Sequence, residues 1–266
     1  MKFFHHLLIA LFLFSTNFFA QSDNEDYTLE EIIVTAQKTE KSLQDVPIAV
    51  SALSADDLAL RQAVRFTDLQ LNVPNLSYSE TNFAGSSVSI RGIGRLATGI
   101  SFDQSVTTHI NESPWGENTN VATMFDMDRV EVLRGPQGTL FGRGTTAGLV
   151  NLVTKRPSVD SGVEGYAGYT AGEYDLQVFE GAVNIPLDDN FAVRAAYTQT
   201  ERDGFTENLY APVGGTFDGR EHYVGRISLR YDTGNTVIDY MYQEHEEEST
   251  RTLRTNYVCT PSANIA

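Results

Sequence analysis

The stretch that decides the fold is residues 127–157, MDRVEVLRGPQGTLFGRGTTAGLVNLVTKRP. Two β-rich runs, residues 129–133 and 149–154, enclose a segment that is rich in glycine. Its glycines are Gly135, Gly138, Gly142, Gly144 and Gly148. Glycine at this density indicates backbone that turns with positive φ, or that packs against another backbone too closely for a Cβ atom. The stretch therefore predicts two strands separated by a tightly turning connection.

A second motif lies near the N-terminus, where EIIVTA occupies Glu31, Ile32, Ile33, Val34, Thr35 and Ala36. Its β-branched residues predict a short strand within polar sequence. Together with the glycine-rich stretch, over about residues 29–157, it resembles the plug domain of the TonB-dependent outer-membrane receptors. The resemblance implies an α+β plug domain followed by the first antiparallel strands of a transmembrane β-barrel, which has 22 strands in that family. It also implies the bacterial cell outer membrane as the location.

The first twenty residues predict a secretory signal peptide, residues 1–20. Lys2 precedes an apolar run at residues 7–14, which is too short to span a bilayer as a helix. Cleavage after Ala20 is expected, although Phe18 stands where a small residue is usual. An N-terminal core helix is the alternative. Residues 21–41 are polar and charged around the EIIVTA motif, which predicts a disordered leader.

Composition excludes several classes of protein. The net charge is −16, and removal of Lys2 with the leader makes it −17, so nucleic acid is not an expected partner. Cys259 is the only cysteine, which excludes an intrachain disulfide. After the leader, no apolar run approaches the roughly 20 residues of a membrane helix. Membrane insertion, if it occurs, must therefore use β-structure.

Residues 42–157 predict the plug domain, a compact α+β unit with a mixed sheet. Ser54 and Asp57 have the spacing of a capping box at the start of a helix, and a second short helix is expected at residues 67–71. Residues 87–91 alternate as a strand before the turn at residues 92–94.

From Gly162 the sequence alternates over long segments, which predicts the N-terminal part of a β-barrel at residues 162–266. Residues 223, 225, 227, 229 and 231 form one mainly apolar face, and residues 224, 226, 228 and 230 form the other. Apolar residues outside and charged residues inside are typical of a transmembrane strand, with outer-membrane lipid as a partner. Tight turns at one end and long loops at the other favour a barrel over a soluble β-sandwich, which also alternates.

About five strands are expected, beginning near residues 162, 176, 191, 221 and 236. Five strands cannot close a barrel, because bacterial barrels need at least about eight and open edges are not tolerated in lipid. We therefore expect this chain to be the front portion of a longer receptor.

The sequence predicts no enzyme, no cofactor and no metal site. Gly142 is followed by Arg143-Gly144 rather than by the Gly-Lys-Ser/Thr of a phosphate loop, and the glycine spacing misses the dinucleotide fingerprint. The histidines after the leader, His109, His222 and His245, stand apart and lack metal-ligand spacing. Asp126, Asp128 and Glu131 flank a strand and are expected to face solvent or form salt bridges.

The EIIVTA motif indicates a way to bind a partner protein, because an extended segment on a tether can add as a strand to the edge of a partner's sheet. The resemblance implies that this partner is the periplasmic domain of TonB. It also implies that Arg91 and Arg134 match plug arginines that face glutamates on the barrel wall. Those glutamates would lie beyond Ala266.

The implied function is TonB-dependent active uptake of a scarce, bulky nutrient, most often a ferric siderophore, with cobalamin or a saccharide as alternative cargo. An exported β-rich binding or adhesion module without energy coupling is the competing class. The candidate cargo contacts are aromatic or charged residues in irregular segments: Tyr78, Phe83, Arg95, Phe102 and Trp115. One departure stands out, because residues 109–113 read HINES where many such plugs carry Tyr-Ile-Asp-Gly-Val.

Overall fold

The structure is a computed structural model that describes residues 32–35, 38–39, 41–80, 86–94, 104–115, 124–208 and 215–250. The predicted signal peptide and most of the predicted leader lie outside these residues. Within them, no helix is long and apolar enough to cross a membrane.

The N-terminal half of the described chain is built from short strands and single-turn helices. Its strands are β1 Ile33–Val34, β2 Lys41–Ser42, β3 Ala49–Ser54, β4 Leu76–Glu80, β5 Ser86–Ile90, β6 Ile93–Gly94, β7 Val106–Ile110, β8 Ser113–Pro114, β9 Met127–Arg134 and β10 Gly148–Thr154. Its α-helices are Ala55–Leu60, Leu69–Asn72 and Gly138–Phe141, and 3-10 turns lie at Leu43–Asp45 and Phe66–Asp68.

A mixed five-stranded sheet in the order β3-β9-β10-β7-β8 forms the centre of this α+β domain. The β10–β7 pair is parallel, and the other neighbours are antiparallel. Every residue of β10 is buried. The mixed sheet predicted from the sequence is therefore confirmed, and the two β-rich runs that flank the glycines are its two central strands.

Two apolar clusters lie on opposite faces of this sheet. Val130, Val132, Val150 and Leu152 point into the larger cluster, which also contains side chains of the first two helices and of β4 and β5. Leu133 and Leu149 point into the smaller cluster with Val34 and Val46. This separation follows from the period of two along a strand. The N-terminal segment therefore covers one face of the sheet and the helices cover the other.

The helix Ala55–Leu60 begins as predicted. The backbone N–H of Asp57 donates to Ser54 Oγ at 3.1 Å, and the backbone N–H of Ser54 donates to Asp57 Oδ2 at 3.3 Å. The capping box thus satisfies amides that the first helical turn leaves without intrahelical partners.

Residues 109–113 retain a tight hairpin despite their unusual sequence. Asn111 and Glu112 connect β7 to β8 with φ of 48° and 66°. Two consecutive residues with positive φ are characteristic of a type I′ turn, for which Asn-Gly is the preferred pair. Glu112 therefore occupies a position that favours glycine.

Five long strands follow in one open antiparallel sheet, in chain order: β11 Glu164–Gly172, β12 Leu176–Asp188, β13 Phe191–Arg202, β16 Arg220–Asp232 and β17 Val237–Ser249. A small hairpin, β14 Thr206–Glu207 with β15 Thr216–Phe217, lies in the long connection between β13 and β16. The five starts agree with those predicted from the sequence.

The two faces of this sheet differ as the alternation predicts. Ala192, Arg194 and Ala196 on β13 are buried, as are Val224 and Arg226 on β16, and they face the plug. The opposite face exposes large apolar and aromatic side chains: Tyr169, Phe179, Tyr231, Ile238, Tyr240 and Tyr242. An apolar outer face beside a polar, plug-filled interior is the pattern of a transmembrane barrel wall.

Candidate functional site

The EIIVTA motif contacts the plug through its central residues. Ile33 pairs with Ser42 and Val34 with Lys41, so that β1 and β2 form a two-stranded ribbon. Val34 is fully buried in the smaller apolar cluster. The structure differs here from the predicted disordered leader, because burial of Val34 beside Leu133 and Leu149 favours a docked segment. Glu31 and Ala36 lie outside the described residues.

Among the described residues, no strand pairs with the second edge of β1. The backbone N–H of Leu43 donates to the carbonyl of Ile32 at 2.9 Å, which makes Ile32 and Leu43 a hydrogen-bonded pair of the ladder. In an antiparallel ladder such pairs alternate, so the amides of Ile33 and Thr35 point away from β2. The side chain of Ile33 is also exposed, at 47%. This edge has the geometry that strand addition by a partner requires.

A buried carboxylate occupies the end of that edge. Glu131 on β9 is fully buried, and its Oε1 accepts the backbone N–H of Thr35 at 2.8 Å. Arg129 Nε donates to the same oxygen at 2.8 Å, and Asn151 Nδ2 donates to Oε2 at 3.4 Å. The sequence left Glu131 as solvent-facing or salt-bridged, and the structure places it in a buried salt bridge. The motif is therefore held by a hydrogen bond from Thr35 to a carboxylate and by the apolar contact of Val34.

Of the two predicted plug–barrel coupling residues, Arg134 ends β9 and Arg91 directly follows β5. Arg134 pairs with Gly148, and a Cβ on Gly148 would lie 2.9 Å from Ile90 Cδ1, next to Arg91 in the chain. Arg134 Nε is buried with no hydrogen-bond partner among the described residues. Arg91 is exposed, with φ of 56°. Their pairing with barrel glutamates stays a prediction.

The structure describes two of the five candidate cargo residues, Tyr78 and Trp115. Tyr78 is only 8% exposed and packs against Phe66 with ring centroids 5.2 Å apart, which makes it a plug-core residue. Trp115 is partly buried, packs on the larger apolar cluster and lies 6.3 Å from the ring of His245 on β17. Both positions are better explained by packing than by cargo contact. Phe83, Arg95 and Phe102 lie outside the described residues.

A contact between the plug and the barrel strands was missed by sequence reasoning. Asp126, just before β9, forms a salt bridge with Arg194 on β13, and both side chains are almost completely buried. The guanidinium of Arg226 on β16 lies over the Phe125 ring at 4.4 Å. In the sequence, the apolar–polar alternation of β13 and β16 places Arg194 and Arg226 on the inward face. It does not identify the plug residues that they contact.

Comparison with known proteins identifies the domain. A sequence model of the TonB-dependent Receptor Plug Domain family matches residues 42–149. Residues 42–149 are a TonB-dependent receptor plug domain. The iron-regulated outer membrane virulence protein of Vibrio cholerae is 29% identical over 200 residues, which cover 72% of this chain and 30% of that protein. The vitamin B12 transporter BtuB of Vibrio vulnificus is 29% identical over 242 residues, which cover 83% and 39%.

A solved structure shares the fold. The ferric yersiniabactin uptake receptor FyuA from Yersinia pestis matches with a TM-score of 0.65 and 22% identity, covering 74% of this chain and 31% of that one. The plug domain followed by antiparallel barrel strands is thus confirmed, as is the outer-membrane localisation predicted from the sequence. The chain spans about a third of the length of the curated relatives that it matches.

Proposed function

We propose that this protein acts in TonB-dependent active uptake of a scarce, bulky nutrient across the bacterial outer membrane, and that its cargo is a ferric siderophore. The observation that carries the proposal is the docking of residues 32–35 of the EIIVTA motif on the plug domain, through β1, whose second edge pairs with no other described strand. The plug itself packs inside a sheet of the transmembrane-barrel type. The protein is proposed to transport and not to catalyse a reaction.

This second edge of β1 supports the periplasmic domain of TonB as the partner. Strand addition uses backbone hydrogen bonds, which resist a pull along the strand because many bonds share the load. The amides of Ile33 and Thr35 lie on this edge, and Thr35 N–H is already bonded to Glu131. A partner that pairs along the whole motif must therefore replace the Thr35–Glu131 hydrogen bond.

The cargo class is supported by similarity to receptors of known cargo or regulation. A ferric yersiniabactin uptake receptor and an iron-regulated outer membrane protein both resemble this chain, which favours an iron chelate. Cobalamin stays the first alternative, since a vitamin B12 transporter matches over a larger share of the chain. A saccharide is the remaining alternative.

The experiment is Ile33→Pro in the full-length gene product, expressed in cells that lack other uptake receptors. Proline removes the Ile33 amide donor, which points away from β2. Binding of a radiolabelled cargo at the cell surface should stay normal while its energy-dependent accumulation is abolished. Radiolabelled ferric siderophores and cobalamin serve as the cargo panel.

Ile33→Val is the matched control, because it keeps the amide and the β-branch. Its uptake should equal that of wild type, since the backbone makes most of the pairing. Accumulation at the wild-type rate in Ile33→Pro cells would exclude energy coupling through this motif. An exported binding module would then be the better assignment.

A further inference from the structure

The point where the plug meets the barrel strands is a buried cluster of charges. Arg194 binds Asp126 with two hydrogen bonds, one of them from Nε to Oδ2 at 2.9 Å and the other from Nη2 to Oδ1. The side chains are 4% and 1% exposed. Two parallel bonds between a guanidinium and a carboxylate fix orientation as well as distance. A pair held in this way, away from water, does not exchange readily.

A second arginine, Arg226, contacts the backbone of the same plug segment. Arg226 Nη1 lies 3.5 Å from the carbonyl oxygen of Phe125 and 3.4 Å from that of Asp126, while its Nε donates to Gln243 Oε1 at 3.0 Å. Arg226 is 3% exposed. Phe125 and Asp126 are therefore held from two neighbouring barrel strands, β13 and β16.

The chain leaves the plug at the same place. The backbone N–H of Lys155 donates to the carbonyl of Asp126 at 3.0 Å. Three residues later, Ser158 is bound through its backbone N–H and carbonyl to the amide of Asn184, both at 3.0 Å. Asn184 on β12 is paired directly with Arg194. The exit of the plug and the charged cluster thus form one connected set of polar contacts.

Further contacts extend this attachment along the sheet end. Asn111 Nδ2 lies 3.5 Å from Met241 Sδ on β17, and Arg156 Nη1 lies 3.7 Å from Asp239 Oδ2 on the same strand. Four strands of the barrel sheet therefore contribute contacts to this end of the plug: β12, β13, β16 and β17.

We propose that Asp126, Arg194 and Arg226 are positioning residues that fix this end of the plug sheet to the barrel wall, and that this end stays in place during transport. The part that concerns transport rests on the proposed function. The part that concerns attachment does not, because it is a property of the folded protein in its membrane.

The test uses a cysteine pair across the attachment in the full-length gene product. Asn111→Cys and Met241→Cys are introduced after Cys259→Ser has removed the single native cysteine. The two cysteines are joined by oxidation or, where their Cβ atoms lie too far apart for a direct disulfide, by a short bis-methanethiosulfonate linker that reduction also cleaves. Energy-dependent uptake of a radiolabelled ferric siderophore should be the same before and after reduction. Uptake that is lost on oxidation and restored on reduction would overturn the proposal, because this end would then have to move.

A second measurement does not depend on uptake. Asp126→Asn should lower the disulfide yield of the cysteine pair several-fold, because it removes the carboxylate that pairs with the buried Arg194 guanidinium. Asp126→Glu keeps the charge and should restore most of the yield. Asp128→Asn is the matched control, since Asp128 is 48% exposed and lies two residues away. Equal yields for Asp126→Asn and Asp128→Asn would overturn the role of the ion pair.

The two measurements separate the two proposals. If the disulfide yield depends on Asp126 but no cargo on the panel accumulates in either redox state, the attachment stands and the proposed function fails. Heat-modifiable mobility of the barrel reports whether each variant is assembled. If Asp126→Asn does not assemble, Arg194→Lys replaces it as the test variant. It keeps the charge but loses the bidentate geometry, so its disulfide yield should be intermediate. An unchanged yield would count against the ion pair.

Discussion

Substitution of Gly148 by alanine should destabilise the plug more than any other single methyl addition in its glycine-rich stretch. A Cβ at this position would lie 2.1 Å from the carbonyl oxygen of Leu133 and 2.9 Å from Ile90 Cδ1. The first contact is with backbone, on the neighbouring strand, so no side-chain rotation relieves it. The φ of 148° adds a conformation that L-residues rarely adopt.

The magnitude follows from these two costs. Overpacking of a tight core costs roughly 1–3 kcal/mol, and an unfavourable φ costs roughly 1–3 kcal/mol, which gives about 2–6 kcal/mol in all. At about 4 °C per kcal/mol for a domain of this size, the midpoint of thermal unfolding should fall by about 8–24 °C. The assay is circular dichroism of residues 32–157, which contain every buried member of both plug clusters.

Two other glycines distinguish the cost of the backbone contact from the cost of the unfavourable φ. Gly142 has φ of 83° but open space around its Cβ position, so Gly142→Ala should cost only the conformational part, about 1–2 kcal/mol. Gly138 has open space and no unusual φ, so Gly138→Ala should be neutral or slightly stabilising. Equal unfolding midpoints for the Gly148 and Gly142 variants would refute the argument from backbone contact.

Three further predictions concern the same plug fragment. Glu112→Gly should stabilise it by about 1 kcal/mol in denaturant unfolding, because Glu112 has φ of 66° and its backbone N–H bond to Asn151 Oδ1 is retained; a loss of stability would contradict this. Burial lowers the pKa of His109 below its ordinary value of 6.5, so the unfolded chain binds the proton more readily, and stability should fall as pH drops below about 6.5. His109→Asn, whose amide can still donate to the Glu112 carbonyl, should flatten that dependence; an unchanged slope would exclude His109 as its origin. Val34→Ala should lower the free energy of unfolding by about 1–2 kcal/mol, since two buried methyl groups are lost, whereas the exposed Ile33→Ala should change it little.

The sequence predicts the strands where alternation and glycine spacing are both strong. The five long strands begin close to their predicted positions, because an apolar outer face and a polar inner face impose a strict period of two. Boundaries in the plug are less predictable. The first strand of the central sheet, Ala49–Ser54, begins only after Val46 and Ile48 have packed with the N-terminal segment, and that boundary depends on tertiary contacts.

The candidate site was predictable in its chain segments but not in its partners. EIIVTA can be recognised as strand-forming from its β-branched residues, yet its docking depends on Glu131, which is 96 positions from Thr35 in the chain. Periodicity assigns a residue to a face and carries no information about which distant group meets it there. For the same reason Asp126 looked like one carboxylate in a solvated cluster, although Arg194, 68 positions away, buries it.

These distant contacts converge on one strand, β9. Glu131 binds Thr35 of the N-terminal motif, Asp126 precedes the strand at the barrel wall, and Arg134 ends it about 25 Å away, at roughly 3.3 Å per residue. Side chains alternate along a strand, so Glu131 faces the motif while Val130 and Val132 lie in the apolar cluster on the opposite face of the sheet. A pull on Thr35 therefore acts on a strand that is packed on both faces. If its Asp126 end is fixed, as proposed, the displacement must appear at the end that carries Arg134, where a permanently charged side chain can leave one carboxylate for another or for water at low cost.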